Sequence, residues 1–216
     1  MMIEIPVTDI QGKQVDTLQI EEQTLGGEVR HALLKQAYVR YHANRRQGSA
    51  ATKNRSRVAY STHKMYRQKG TGNARRGAAG TNLMRGGGMA FAKQPKSWRQ
   101  RMPRKMRRLA NRNALLAKAV DQELKVVDQL ALDTPSTRQF AAILNNLSID
   151  RSCLIALGST VGPEAKSARN LDAVTIRRVD QLNAFDMLNH RYVLVDKASL
   201  AKWLAGDDNG DGPEAD

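Results

Sequence analysis

The chain has 216 residues, 41% hydrophobic and only 5% aromatic, and its 35 Lys and Arg exceed its 21 Asp and Glu to leave a net charge of +14. That length suits one ordinary domain with an appendage; a lone cysteine excludes an intramolecular disulfide and fits a reducing compartment. No apolar run nears the roughly 18 residues of a membrane span, and Met-Met-Ile-Glu-Ile-Pro lacks the charged start and apolar centre of a signal peptide, so a cytoplasmic protein without membrane partners is expected.

In the first twenty residues Ile3, Ile5 and Val7 alternate, a turn follows at Asp9-Ile10-Gln11-Gly12-Lys13, and Val15, Leu18 and Ile20 come next, which reads as a hairpin. From 27 to about 47, Val29, Leu33, Leu34, Ala37, Tyr38 and Tyr41 recur at helical spacing, with Arg45 and Arg46 at the end favoured by the helix dipole. Residues 48–102 keep neither period. They hold Gly70, Gly72, Gly77, Gly80 and the run Gly86-Gly87-Gly88 among many cations. So long a stretch does not belong inside a compact core, and its few branched apolar residues cannot offset the entropy of folding; it is expected to be either disordered or ordered against an anionic partner.

Helical spacing resumes after Pro103, from 104 to about 124, through Met106, Leu109, Leu115, Leu116, Ala119 and Val120. Arg104, Lys105, Arg107, Arg108 and Arg112 crowd its start, where the dipole disfavours cations, so something outside the helix must favour them. Beyond it, strand-like runs at 124–127, 152–157, 174–179 and 192–195 alternate with helix-like ones at 136–147, 162–170, 181–188 and 198–204. This alternation predicts an α/β domain with a mainly parallel sheet flanked by helices, built from 1–47 and 103–205. The basic non-regular loop 48–102 is then an insertion between two helices, and the Gly-rich acidic 206–216 a disordered tail.

Charge is divided as sharply as periodicity. Residues 29–120 hold 24 of the basic residues and not one Asp or Glu, so the segment carries +24 and the remainder of the chain −10. Solvated faces mix signs because single-sign patches repel themselves; a block of this kind calls for a polyanion, nucleic acid first and an anionic membrane second.

Other chemistries fare poorly. Gly70-Thr71-Gly72-Asn73-Ala74-Arg75 begins like a dinucleotide fingerprint, but Arg75 replaces the third glycine and no strand precedes it. Gly72 to Gly77 has phosphate-loop spacing, yet Ala78 and Ala79 stand where Lys and Ser or Thr are needed. These glycines suit close approach of backbone to a crowded surface. His31 and His42, on one helix, lie some 16 Å apart at about 1.5 Å per residue and cannot share an ion. His63 and His190 are isolated, and Cys153 lies in an apolar run as a small buried hydrophobe. No cofactor, no metal site and no catalytic residue are expected.

The basic block carries the functional expectation. Its candidate RNA-binding cations are Arg45, Arg46, Lys53, Arg55, Arg57, Lys64, Arg67, Lys69, Arg75, Arg76, Arg85, Lys93, Lys96, Arg99, Arg101, Arg104, Lys105 and Arg108. Such side chains release counterions on meeting phosphates, and Arg adds bidentate binding and stacking. Tyr60, Tyr66, Phe91 and Trp98, interleaved with them, are candidates for stacking on unpaired bases, the alternative being packing of the loop on its own stems.

Within this block the order Arg46-Gln47-Gly48-Ser49, Thr52-Lys53-Asn54-Arg55, Tyr66-Arg67-Gln68-Lys69-Gly70-Thr71-Gly72-Asn73-Ala74-Arg75 and Arg85-Gly86-Gly87-Gly88-Met89-Ala90-Phe91 resembles the bacterial-type large-subunit ribosomal protein L four family. Ala168-Arg169-Asn170-Leu171 and Leu182-Asn183-Ala184-Phe185-Asp186-Met187-Leu188 extend the likeness to roughly 1–205. Here Met65-Tyr66 replaces the family's usual Pro-Trp, Asn73 a frequent Arg, and Ala92-Lys93 a common Gly-Pro, while an aromatic is kept at Tyr66.

The resemblance implies a structural protein of the large subunit, not an enzyme, that binds 23S-type ribosomal RNA (rRNA) and assists assembly. Its partners would be large-subunit rRNA, neighbouring large-subunit ribosomal proteins and the nascent peptide, and its place the cytoplasmic ribosome. Arg67, Gln68, Lys69, Gly70, Thr71 and Gly72 would lie at a loop tip in the wall of the peptide exit tunnel, with Arg46, Lys53, Arg55, Arg75, Arg85 and Phe91 along the RNA-bound length. The rival functions are a non-ribosomal RNA chaperone or nucleic-acid-binding protein, sharing the charge but not the stoichiometric residence, and a nucleotide-dependent α/β enzyme, which needs a phosphate loop elsewhere.

Overall fold

A computed structural model of the chain describes residues 2–206; the expectation of a disordered tail falls beyond Gly206, outside the described residues. The described chain forms two compact units, one made of the residues up to His42 together with those from Gln100 onward, the other of Ala43–Arg99.

The first unit is α/β. Its strands are β1 (Met2–Thr8), β2 (Gln14–Glu21), β3 (Leu124–Val127), β4 (Cys153–Leu157), β5 (Val174–Arg178) and β6 (Tyr192–Asp196), paired in the order β2-β1-β3-β6-β4-β5. Only the β1–β2 pair is antiparallel. The helices are α1 (His31–Asn44), whose last residues pass into the second unit, α2 (Arg104–Val120), α3 (Thr137–Asn146), α4 (Pro163–Ala168), α5 (Ala184–Asn189) and α6 (Lys197–Ala205).

Period-two alternation along β4 sorts the core. All five of its residues are buried, Cys153, Ile155 and Leu157 toward α3 and α4, Leu154 and Ala156 toward α1, α2, α5 and α6. A strand covered on both faces must read as a continuous apolar run, which is why residues 152–157 stood out in the sequence. Burial pushes the Cys153 thiol up to about 12, although a backbone hydrogen bond involving Leu194 opposes the shift. The thiol is therefore neutral when folded. Its contribution to stability is full below the ordinary thiol value near 9 and is lost as the pH rises toward 12. Cys153 is expected to resist alkylation at pH 8 until denaturant unfolds the sheet, measured by mass spectrometry; prompt modification in buffer contradicts its burial.

Three helix starts are capped by side chains: Ser136 Oγ accepts from the Gln139 amide at 3.4 Å, Asn183 Oδ1 from Asp186 at 2.9 Å, and Asp196 Oδ2 from Ser199 at 3.1 Å. These residues satisfy orphan amide donors and set the beginnings of α3, α5 and α6. The helix expected from 27 instead begins at His31. Gly26 and Gly27 both have positive φ, Gly26 closing a one-turn 3-10 helix at Glu22–Leu25, so the chain turns there before α1 can start. At the far end α1 stops at Asn44 and not near 47. The helix expected to reach 124 likewise ends at Val120, with Gln122 at positive φ before β3.

Two polar residues that periodicity passes over pin α2 in place. Asn113, fully buried, accepts from the Arg30 amide at 2.7 Å through Oδ1 and donates through Nδ2 to the Glu28 carbonyl; Asn111 Oδ1 accepts from the Ala184 amide at 2.8 Å. Lys118, also buried, donates to Glu123 Oε2 at 2.7 Å and to the Arg191 carbonyl at 2.9 Å. Asn113→Ala is expected to destabilise the α/β unit by about 1–3 kcal/mol in urea unfolding, because the Arg30 amide and the Glu28 carbonyl lose their buried partner; a change under about 0.5 kcal/mol contradicts that role.

Candidate nucleic-acid interface

The unit Ala43–Arg99 begins with a deficit: no carboxylate occurs between Glu28 and Asp121, so none of its cations has an acidic side chain of its own unit to pair with. Residues 45–103 contain no helix or strand. A series of cross-chain hydrogen bonds nevertheless folds the segment into two antiparallel arms. The Lys96 amide donates to the Gly48 carbonyl at 3.1 Å, Thr52 to Lys93 at 2.9 Å, Met89 to Lys53 at 2.9 Å, and Met65 to Gly77 at 3.1 Å.

Glycine is required where the arms touch. A Cβ on Gly88 would collide with the Arg55 backbone, so a larger residue would force the arms apart at that point. The second arm makes an excursion at 80–88, closed by the Gly88 amide on the Gly80 carbonyl at 3.1 Å.

The arms meet at a tip formed by Arg67, Gln68, Lys69, Gly70, Thr71 and Gly72. Gly70 has φ +81°, and the Arg67 guanidinium donates to its carbonyl at 2.7 Å, closing the turn. Lys64 braces the base of the tip from one side, donating to Gln68 Oε1 at 2.8 Å and to the Arg76 carbonyl at 3.2 Å. Lys69 is exposed beside it. No strand feeds Gly70–Gly77 and no helix follows, so the glycines form a turn and not a phosphate loop.

Every candidate cation of this unit is exposed: Arg45, Arg46, Lys53, Arg55, Arg57, Lys64, Arg67, Lys69, Arg75, Arg76, Arg85, Lys93, Lys96 and Arg99. The other four belong to the α/β unit, Arg101 just before α2 and Arg104, Lys105 and Arg108 in its first two turns, the last half-buried. Of the aromatic candidates, Trp98 is flanked by Arg46 at 3.9 Å and Lys96 at 4.5 Å from the ring centre. The Tyr66 hydroxyl donates to the Ala74 carbonyl across the tip, and the Tyr60 ring lies directly against Gly80. These three contact their own segment, whereas Phe91 is 98% exposed with a face open for stacking. Leu83, on the excursion, is 96% exposed and was not singled out in the sequence.

Chemistry of other kinds finds little footing. Among the described residues no three His, Cys, Asp or Glu gather as metal ligands, and no helix is long and apolar enough to cross a membrane. His190 is held at both ring nitrogens, 2.7 Å from the Asp186 carbonyl and 2.8 Å from Thr175 Oγ1, a bracing role between α5 and β5.

The family model described as "Ribosomal protein L4/L1 family" matches residues 18–205. The chain belongs to the ribosomal protein L4/L1 family. Its relatives include proteins named large ribosomal subunit protein uL4. The one from Rhodopirellula baltica is 40% identical over 92% of this chain and 90% of its own length, and the one from Dehalococcoides mccartyi 43% identical over 92% and 94%. A third, from Alkaliphilus metalliredigens, is 37% identical over 93% of this chain and 97% of its own. Membership in the L4/L1 family removes the nucleotide-dependent enzyme from consideration: the relatives are ribosomal proteins, and this chain is not an enzyme.

Proposed function

We propose that the chain is a structural constituent of the large ribosomal subunit in the cytoplasm, that it binds 23S-type rRNA and assists assembly, and that its tip contributes to the wall of the peptide exit tunnel. The observation that carries this reading is the unit Ala43–Arg99 itself, two arms whose cations are all exposed and which contain no carboxylate. Facing cations on both arms let phosphate strands from different sides approach each other, which is the electrostatic task of assembly. Paired arms hold that charge in a partly organised form, so less ordering entropy is lost when RNA closes around them. The relatives are named large ribosomal subunit proteins, which supports the large subunit as the particle; within it, neighbouring ribosomal proteins are further partners in this reading.

Within this reading Arg46, Lys53, Arg55, Arg75 and Arg85 lie along RNA, Phe91 stacks on a base, and Arg67–Gly72 reaches the tunnel and the nascent peptide. The experiment is stoichiometry in washed large subunits by quantitative mass spectrometry. One copy per subunit after a high-salt wash is expected; a chain that washes off and cycles free is instead an RNA chaperone. For the tip, Lys69→Glu is expected to alter nascent-chain passage or the action of tunnel-binding drugs while incorporation into subunits changes less than twofold. Equal effects on both contradict the tip assignment.

A further inference from the structure

A groove in the α/β unit, outside the two-armed segment, is lined by Ala32, Lys35, Val39, Arg101, Met102 and Met106. Val39, 45% exposed, and the half-buried Met102 and Met106 form an apolar patch in it, beside the buried cation Arg40. Lys35 and Arg101 stand exposed at its rim, with Gln36 offering both a donor and an acceptor. Arg104 and Lys105 open α2, where the helix dipole repels cations, and no acidic residue lies on α1 or α2 to offset them. Cations around an apolar patch, with two more at the adjoining start of α2, fit a ligand that is anionic at its edges and flat and apolar in the middle. An unpaired nucleotide has that chemistry: polarizable thioethers and aliphatic groups accept the face of a base, and Lys and Arg accept the phosphates on either side.

We infer that the α1–α2 groove is a second RNA-binding site, taking one unpaired nucleotide with its base on Val39, Met102 and Met106 and its flanking phosphates at Lys35 and Arg101. It gives the α/β unit a foothold on RNA that does not depend on the two arms. The inference rests on the reading of the chain as an rRNA-binding protein and adds a site and a ligand class to it.

The test uses the full chain with purified 23S-type rRNA. One variant carries Lys35→Gln and Arg101→Gln, both exposed, and a second carries a photo-crosslinking amino acid in place of Val39. The double variant is expected to lower the slope of log affinity against log salt by about 1.4, two single-strand phosphate contacts, while nuclease protection due to the arms is retained. The Val39 probe is expected to crosslink to a few adjacent unpaired nucleotides. A parent chain that binds while the double variant keeps the parental slope, or while the probe captures no RNA, overturns the groove alone. Capture of an acidic protein segment and no RNA in assembled subunits overturns it equally. A parent chain that does not bind the RNA overturns the ribosomal reading and the groove with it.

Discussion

Replacing Lys53, Arg55, Arg57, Arg75, Arg76 and Arg85 together with Gln is expected to flatten the salt dependence of rRNA binding by about 4 to 5 in log affinity per log salt, at roughly 0.7 to 0.9 per phosphate contact. All six are exposed, on a unit with no carboxylate to hold them back from an outside partner. A protein with six to ten such contacts loses about a thousandfold or more in affinity between 50 and 200 mM salt; the variant is expected to lose less by the share of the six contacts removed, the remaining cations still being screened. None of the substituted residues belongs to the α/β unit, so its unfolding free energy is expected to stay within about 0.5 kcal/mol of the parent. The pair of measurements separates the partner's share of the energetics from the fold's. A parental salt slope in the variant removes the arms from the RNA interface.

Deleting residues 60–85 and joining 59 to 86 through a short Gly-Ser linker is expected to leave the α/β unit folded, with a single cooperative unfolding transition. Its two hydrophobic clusters draw on no residue between Leu34 and Met102 except Ala37, so the deletion leaves their packing intact. Pairings at the base of the arms, Gly48 with Lys96, Thr52 with Lys93 and Lys53 with Met89, are also retained. The tip and the excursion are lost with the deletion. The truncated chain is therefore expected to join large subunits but to leave the exit tunnel altered, seen as changed pausing of nascent chains. Loss of cooperative unfolding in the purified variant contradicts the independence of the two units.

The strands and most helices were legible because the α/β unit is organised by local periodicity. β4 announced itself as an apolar run since both its faces are covered, and β1 by strict alternation since its far face is not. The first helix was read too long at both ends: its start is decided by Gly26 at φ +109° and by Asn113, more than 80 residues away, and neither leaves a periodic trace. Asn111 and Asn113 were missed for the same reason, as buried polar residues look like surface positions until their backbone partners are known.

Composition located the interface by its charge, with no help from periodicity. It could not show that 48–102 folds back on itself, because each pairing joins residues far apart in sequence through backbone groups common to all residues. Nor could it tell which aromatics are engaged within the segment. Trp98 meets Arg46 across 52 positions, whereas Phe91 meets solvent, and both sit in similar basic surroundings in the sequence. Arg67–Gly72 was marked in the sequence only by its likeness to the family motif; that Gly70 turns at positive φ and Arg67 closes the turn is visible in the structure alone. The net charge of +14 thus averages a mildly acidic remainder with a cationic block, and that block runs through both units, from the arms into α1 and the start of α2.

The most direct test is a density map of the large ribosomal subunit purified from cells that make this chain. One copy is expected, with Ala43–Arg99 enclosed by rRNA along both arms and Arg67–Gly72 at the wall of the exit tunnel. Subunits that lack the chain, or that hold it with the two arms turned outward into solvent, would contradict this expectation.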